Sequence, residues 1–218
     1  MGLQRVASKI ALLGGTFNPI HIGHLRSAID VIELLALDEL RLIPNALPPH
    51  REQPNVSPQQ RLEMVRLATT KVPKLVVDDR ELRRNKPSYT IDTLLSIHAE
   101  LTAEDQLFFI MGWDAFCSLP TWYRWQELLT HCHIIVLQRP YLSVKIPKEL
   151  QGFLAGKVVT DAACFTRLNG QVLFLQQTVL DISSTHIRQA LAQSKSVQFL
   201  VADKVLDYIN EHKLYQEL

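Results

Sequence analysis

Short runs of unbroken apolar residues alternate with longer stretches of helical periodicity along almost the whole chain, and few folds accept that pattern. The runs are Ile10–Leu13, Leu40–Ile43, Leu75–Val77, Leu107–Met111, Ile134–Leu137 and Val172–Leu175. A strand that is apolar at every position is buried on both faces, the condition of strands in a parallel sheet. Between the runs, Ile22–Leu35 places Leu25, Ala28, Ile29, Ile32 and Leu35 on one helical face. Ser57–Ala68 opens with Ser-Pro, a start signal with proline at the first helical position. Ser88–Leu101 carries Ile91, Leu94, Leu95 and Ile97, and Thr121–Leu129, Ser184–Ala192 and Ala202–Ile209 complete the expected helices. Strands alternating with helices predict a doubly wound α/β fold, whose ligands bind beyond the carboxyl ends of the strands. We read residues 1–218 as one domain with a small helical part over about 183–218. Asn45–Pro58 reads as a loop, and Pro140–Asn169 is the least patterned stretch.

Composition excludes several classes. The formal net charge is +1, so no global field favours nucleic acid or an anionic membrane, and a small anion needs a local basic site. Cys117, Cys132 and Cys164 form no CxxC pair, which argues against a disulfide framework or a structural zinc site. No signal-peptide pattern opens the chain and no apolar run approaches the ~20 residues of a membrane span, so a cytoplasmic protein is expected.

The string Gly14-Gly15-Thr16-Phe17-Asn18-Pro19-Ile20-His21-Ile22-Gly23-His24 joins the first strand to the first long helix. Gly14 and Gly15 allow positive φ and close approach of a ligand to the backbone. A helix start offers free N–H groups and a positive dipole end, where an anion is favoured. His21 and His24, one turn apart, can face one ligand and donate imidazole N–H groups to phosphate oxygens. The string is neither a dinucleotide-binding nor a Walker fingerprint. Two surface histidines beside a glycine turn would be the bland alternative.

A second candidate is Ile182-Ser183-Ser184-Thr185-His186-Ile187-Arg188. Ser183 or Ser184 is a natural N-cap, the first-turn amides suit phosphate, and Arg188 brings a planar donor fork back toward the same ligand. Read alone, a capped helix with a solvent-facing arginine is the more economical account. No Ser–His–Asp or Cys–His nucleophile is evident, as suits phosphoryl chemistry carried by positioning and charge neutralisation.

These two strings, in order and about 160 residues apart, resemble the paired signatures of the HxGH nucleotidyltransferases, with His21-Ile22-Gly23-His24 as the tetrad. Three further segments narrow the resemblance: Ile43-Pro44-Asn45 with Pro48-Pro49-His50-Arg51, Lys86-Pro87-Ser88-Tyr89-Thr90, and Gly112-Trp113-Asp114 with Leu119-Pro120-Thr121-Trp122-Tyr123. With them the chain resembles the bacterial nicotinate mononucleotide adenylyltransferases from Ile10 to about Tyr208, weakly in Pro140–Asn169.

The resemblance implies a Rossmann-like nucleotidyltransferase fold, and it implies roles. Gly14, Gly15, Thr16, Phe17, His21 and His24 hold ATP and its phosphates; Gly112, Asp114, Arg139, Ser183, Ser184 and Arg188 complete the nucleotide site. His21, His24 and Arg188 are the catalytic expectation. Asn45, His50 and Arg51 lie near the reacting phosphates; Thr90, Trp122 and Tyr123 hold the pyridine ring and its carboxylate. Mg²⁺ is expected on the ATP phosphates rather than in a protein cage, so no residue is assigned to metal. ATP and nicotinate mononucleotide are the expected partners.

A pyridinium ring favours an aromatic platform such as Trp122, and its carboxylate favours N–H donors at a helix start after Pro120, with Thr90 as a second donor. The packing alternative for Trp122, Tyr123 and Trp125 competes with that reading. Asp114 has a helix-cap alternative, and Arg80, Arg83, Arg84 and Lys86 read as a solvated face. Asn18 stands where the family often has Asp; an Asx-turn is expected from either residue. Rival acceptors are nicotinamide mononucleotide, phosphopantetheine or a CTP-dependent partner, and a non-catalytic nucleotide sensor is the rival of a different class.

Overall fold

The computed structural model describes residues 7–46, 56–84, 87–138, 146–176 and 180–216. In chain order the elements are β1 (Lys9–Gly15), α1 (Ile22–Leu35), β2 (Glu39–Pro44), α2 (Pro58–Thr69), β3 (Leu75–Val77), α3 (Thr90–His98), β4 (Gln106–Gly112), α4 (Trp113–Cys117), β5 (His133–Gln138), α5 (Lys148–Leu154), β6 (Val158–Val159), β7 (Val172–Gln176), α6 (Ser184–Ala192) and α7 (Asp203–Glu211). Short 3-10 turns span Leu119–Thr121, Trp125–Thr130 and Ala162–Cys164. The strands form one seven-stranded sheet in the order β3-β2-β1-β4-β5-β7-β6. This is the doubly wound α/β architecture that the apolar runs predict.

Two compact units are distinguishable. The first comprises Met1–Leu13, Val31–Leu40 and Tyr89–Gln177. Its strands pair in parallel, with Ile10 opposite Leu107, Phe109 opposite Ile134 and Ile135 opposite Leu173. Ile134, Ile135 and Val136 are wholly buried, which is why β5 reads as an uninterrupted apolar run. His133 opens that strand without reaching solvent. Its Nδ1 accepts from the Gln171 N–H at 3.2 Å and its Nε2–H meets the Arg167 carbonyl at 3.0 Å, between the rings of Phe108 and Phe165. Burial holds it neutral, with a pKa near 4, against the opposing pull of the Arg167 and Gln171 backbone bonds.

The second unit comprises Gly14–Asp30, Arg41–Ser88 and Thr178–Leu218. Here α2 packs on α7. Ser57 caps α2 in a capping box: its hydroxyl accepts from the Gln60 N–H at 3.2 Å, and the Gln60 side chain accepts from the Ser57 N–H at 2.9 Å. In the basic run of the sequence Arg80 bonds Asp78 at 2.7 Å and Arg83 pairs with Asp79, while Lys86 lies outside the described residues. Among the described residues no helix is long and apolar enough to cross a membrane.

The expected elements depart from the structure mainly over residues 113–131. No α-helix forms over Thr121–Leu129. Pro120 lies inside a 3-10 turn, Trp122 is extended (ψ 145°), and Arg124 is left-handed (φ 52°), so the helical run is broken before Trp125. Arg124 is held there by a bidentate ion pair with Glu127, at 2.8 and 2.6 Å. The short α4 and α5 and the two-residue β6 fall below the length at which periodicity speaks. α3 begins at Thr90 rather than Ser88, because Tyr89 is the extended N-cap residue.

Replacing Ser57 by Ala removes one capping partner and leaves the Gln60 amide without its acceptor. We expect a loss of about 1 kcal/mol in chemical denaturation with an unchanged m-value. A loss below a few tenths would mean that solvent replaces the cap.

Candidate active site: a clamped loop and a stacked histidine pair

The loop after β1 belongs to the second unit, and the protein holds four of its carbonyls. Gly15 O accepts from the Asn45 N–H at 2.8 Å. Thr16 O accepts from Arg61 at 2.6 Å, and the same guanidinium donates to Asn45 O at 3.0 Å. Asn18 O accepts from Arg188 at 2.8 Å, and Pro19 O from the Ser184 hydroxyl at 2.9 Å. The Asn18 side-chain oxygen accepts from the Tyr215 hydroxyl at 2.6 Å. Burial pushes the Tyr215 phenol up, against the opposing pull of Arg188 and Arg61, so it remains a donor. The Asn18–Pro19 peptide bond is cis.

His21 and His24 stack with ring centroids 3.6 Å apart and planes 25° from parallel. The His21 N–H approaches His24 Nδ1 at 3.3 Å, and the His24 N–H approaches His21 Nδ1 at 3.4 Å. Both Nδ1 atoms are therefore acceptors, which leaves each neutral ring with its proton on Nε2. Burial lowers the His21 pKa to about 4; burial and then the charge of His21 lower that of His24 to about 3. The pair is two neutral N–H donors, suited to phosphate oxygens and poised to gain charge as an anion approaches.

Gly23 leaves room for this arrangement, because a Cβ there would lie 3.0 Å from His21 Nδ1 and crowd that ring. At Gly15 a Cβ would lie 2.8 Å from the Phe17 ring, and at Gly14 one would lie 3.3 Å from Asn45 Oδ1. The expectation of positive φ at Gly14 and Gly15 is thus corrected. Both lie at the end of β1 and need space, whereas the left-handed residue of the loop is Phe17 (φ 47°).

Other expectations are also refined. The start of α1 is not a row of open amides: the Ile22 N–H donates to Leu200 O at 2.9 Å, and the His24 N–H is taken by His21. At α6, Ser183 is the N-cap and accepts from the His186 N–H at 3.1 Å. Ser184 and Arg188 reach back to the loop and position it through the Pro19 and Asn18 carbonyls. Asn18 makes its side-chain bond to Tyr215 rather than the expected Asx-turn. Asn45 joins the clamp through its backbone. His50, Arg51 and Arg139 lie outside the described residues.

The first unit carries the remaining candidates. Gly112 is the N-cap of α4 and opens on empty space, and Asp114 stands in the first turn rather than at the cap. Trp122 is half-buried and meets Phe109 edge-on at 6.2 Å. Tyr123 is 54 % exposed and packs on Tyr89, 44 % exposed, with centroids 4.6 Å apart. Thr90 is the first residue of α3. The helix expected after Pro120 does not supply amide donors, since the Thr121 and Trp122 N–H groups bond Ser118 O and Leu119 O at 2.9 Å each.

Sequence reasoning missed Arg61, Tyr215 and Tyr89. Arg61 had a signal: it stands on the apolar face of α2 with Met64 and Val65, where a charge is out of place.

Comparison with known proteins follows the same lines. The family described as cytidylyltransferase-like matches residues 12–190. A probable nicotinate-nucleotide adenylyltransferase of Pseudomonas syringae pv. tomato is 58% identical over 95% of this chain and 94% of its own. One of Pseudomonas putida strain GB-1 is 57% identical over 99% of both. Among solved structures, the Plasmodium falciparum nicotinic acid mononucleotide adenylyltransferase complexed with NaAD superposes with a TM-score of 0.72. It is 18% identical and covers 97% of this chain and 98% of that one, a likeness of fold.

The lowered histidine pKa values have a definite sign. Unfolded, these rings take a proton below pH 6.5; folded, His21 and His24 resist until about 4 and 3, and His133 until about 4. Between those values the unfolded chain binds more protons, so stability is complete above pH 6.5 and declines as pH falls toward 4. In NMR titration His21 and His24 should remain neutral Nε2–H tautomers at pH 5.5, midway in that window. Protonation of either ring near 6.5 would refute the stacked neutral pair.

Proposed function

The chain belongs to the cytidylyltransferase-like family and, within it, to the nicotinate-nucleotide adenylyltransferases; from that premise we propose that it transfers the AMP portion of ATP to the 5′-phosphate of nicotinate mononucleotide, giving nicotinate adenine dinucleotide and pyrophosphate in a cytoplasmic step of NAD biosynthesis. The observation that carries the proposal is the pair of neutral Nε2–H donors, His21 and His24, beside a loop held by Ser184 and Arg188.

A phosphate monoester loses its second proton near pH ~6, so the nucleophile needs no strong base. One of its oxygens attacks the α-phosphorus of ATP, a new P–O bond forms, and the bond to the bridging oxygen breaks, with the electron pair leaving on pyrophosphate. His21 and His24 donate to phosphate oxygens as charge builds on them, and Arg188 adds positive potential. No covalent enzyme intermediate is required. Gly14, Gly15, Thr16, Phe17, Ser183, Gly112 and Asp114 are retained as proposed nucleotide contacts. Trp122 and Tyr123, with Tyr89, are the proposed platform for the pyridine ring, and Thr90 is the proposed donor to its carboxylate.

Magnesium enters as a companion of the triphosphate. The stacked imidazoles and Arg188 do not suit a hard oxygen-seeking cation, and no group of three or more His, Cys, Asp or Glu gathers among the described residues. No step is routed through the metal.

Turnover of ATP with nicotinate mononucleotide should exceed that with nicotinamide mononucleotide. A tenfold preference for the amide, about 1.4 kcal/mol, would overturn the assignment of the acceptor. His24→Ala should retain the fold and lower kcat by about 10²-fold or more, as removal of a charge-stabilising donor does. Trp122→Ala should weaken the mononucleotide by roughly 1–2 kcal/mol, read as KM or Kd; unchanged affinity would return Trp122 to a packing role.

A further inference from the structure

Among the described residues Arg61 is the largest side chain that is buried completely, at 0% exposure. Such a position on an amphipathic helix ordinarily holds Leu or Met, because a buried guanidinium loses its hydration. Arg80, which is nearly buried, illustrates the usual remedy, facing Asp78. Among the described residues Arg61 has no carboxylate partner. It has two carbonyls, those of Thr16 and Asn45, and its buried Nε meets no acceptor. The two carbonyls engage one N–H on each terminal nitrogen, two of its five donors, and cancel none of its net charge. The charge stands directly behind the loop assigned to phosphate.

We propose that Arg61 is a positioning residue for the triphosphate: it sets the loop through the Thr16 and Asn45 carbonyls, and its charge, which no described carboxylate compensates, is the potential that an incoming polyanion neutralises. This rests on the adenylyl-transfer reading and deepens it. Arg61 touches no substrate; it acts through the loop, and its field is felt more strongly in the buried surroundings than it would be in water.

The test measures binding of inorganic triphosphate to the full chain by calorimetry, for wild type, Arg61→Gln, Arg61→Lys and the exposed control Arg66→Gln. Arg61→Gln should weaken triphosphate about tenfold or more and flatten the salt dependence of binding, while Arg61→Lys, which keeps the charge, should stay within about threefold of wild type. In steady-state assays Arg61→Gln should raise KM for ATP and leave KM for the acceptor within about twofold, a split that a general loss of packing does not produce. The control should match wild type throughout. Wild-type triphosphate affinity in Arg61→Gln, an equal rise in both KM values, or weak binding by a folded Arg61→Lys would each overturn the proposal. Loss of fold in both Arg61 variants, seen by circular dichroism, would reduce Arg61 to a core residue and overturn it too. If wild type binds triphosphate but transfers no adenylyl group, the functional reading fails while the Arg61 result still stands.

Discussion

Peptide carbonyls carry partial negative charge, and a loop that is to receive phosphate must not present them. In this chain the carbonyls of Gly15, Thr16, Asn18 and Pro19 are all engaged by protein donors: a strand-end amide, two guanidiniums and a serine hydroxyl. None can turn toward an approaching anion without breaking a bond. The donors come from β2's end, α2 and α6, elements far apart in sequence. The loop is therefore defined by the fold of the second unit as a whole and not by its own residues alone. Preorganisation of this kind means that little rearrangement remains to be made when charge develops.

The histidine pair extends the same logic. Each ring lends its Nδ1 to the other residue's amide, and this mutual arrangement selects one tautomer for both. It also uses the amides that a helix start would otherwise offer to a ligand. With the Ile22 and His24 amides engaged within the protein, the anion contacts proposed at this end of α1 are the two imidazole edges. Gly23 belongs to the same arrangement, since a side chain there would crowd the His21 ring where it lies. The spacing of the tetrad is thus a packing requirement as much as a chemical one.

This explains what could and could not be read from the sequence. The six apolar runs became strands because a parallel sheet buried on both faces leaves little freedom in composition, and the wholly buried Ile134, Ile135 and Val136 show that constraint at its strongest. The two signature strings were legible because they are local. The clamp was not, because a bond from Arg61 to Thr16 or from Tyr215 to Asn18 links positions 45 and 197 residues apart and leaves no periodic trace. Residues 113–131 failed for a different reason. Proline, an extended Trp122 and a left-handed Arg124 make a chain of turns whose apolar spacing imitates a helix.

Asn18 brings these threads together. Its side-chain oxygen accepts from Tyr215 and its main-chain oxygen from Arg188, in a position only 8% exposed. An aspartate there would accept from the same phenol and would make the stronger bond. It would also place a full negative charge beside the clamp, and the nearest compensation would be the guanidiniums that hold the loop. Whatever charge they gave to a carboxylate would no longer be available to a triphosphate. A neutral amide supplies the same geometry and leaves that potential for the ligand. The position then needs a carbonyl-type acceptor of fixed orientation, not an acid or a base, which agrees with chemistry in which the nucleophile arrives already ionised.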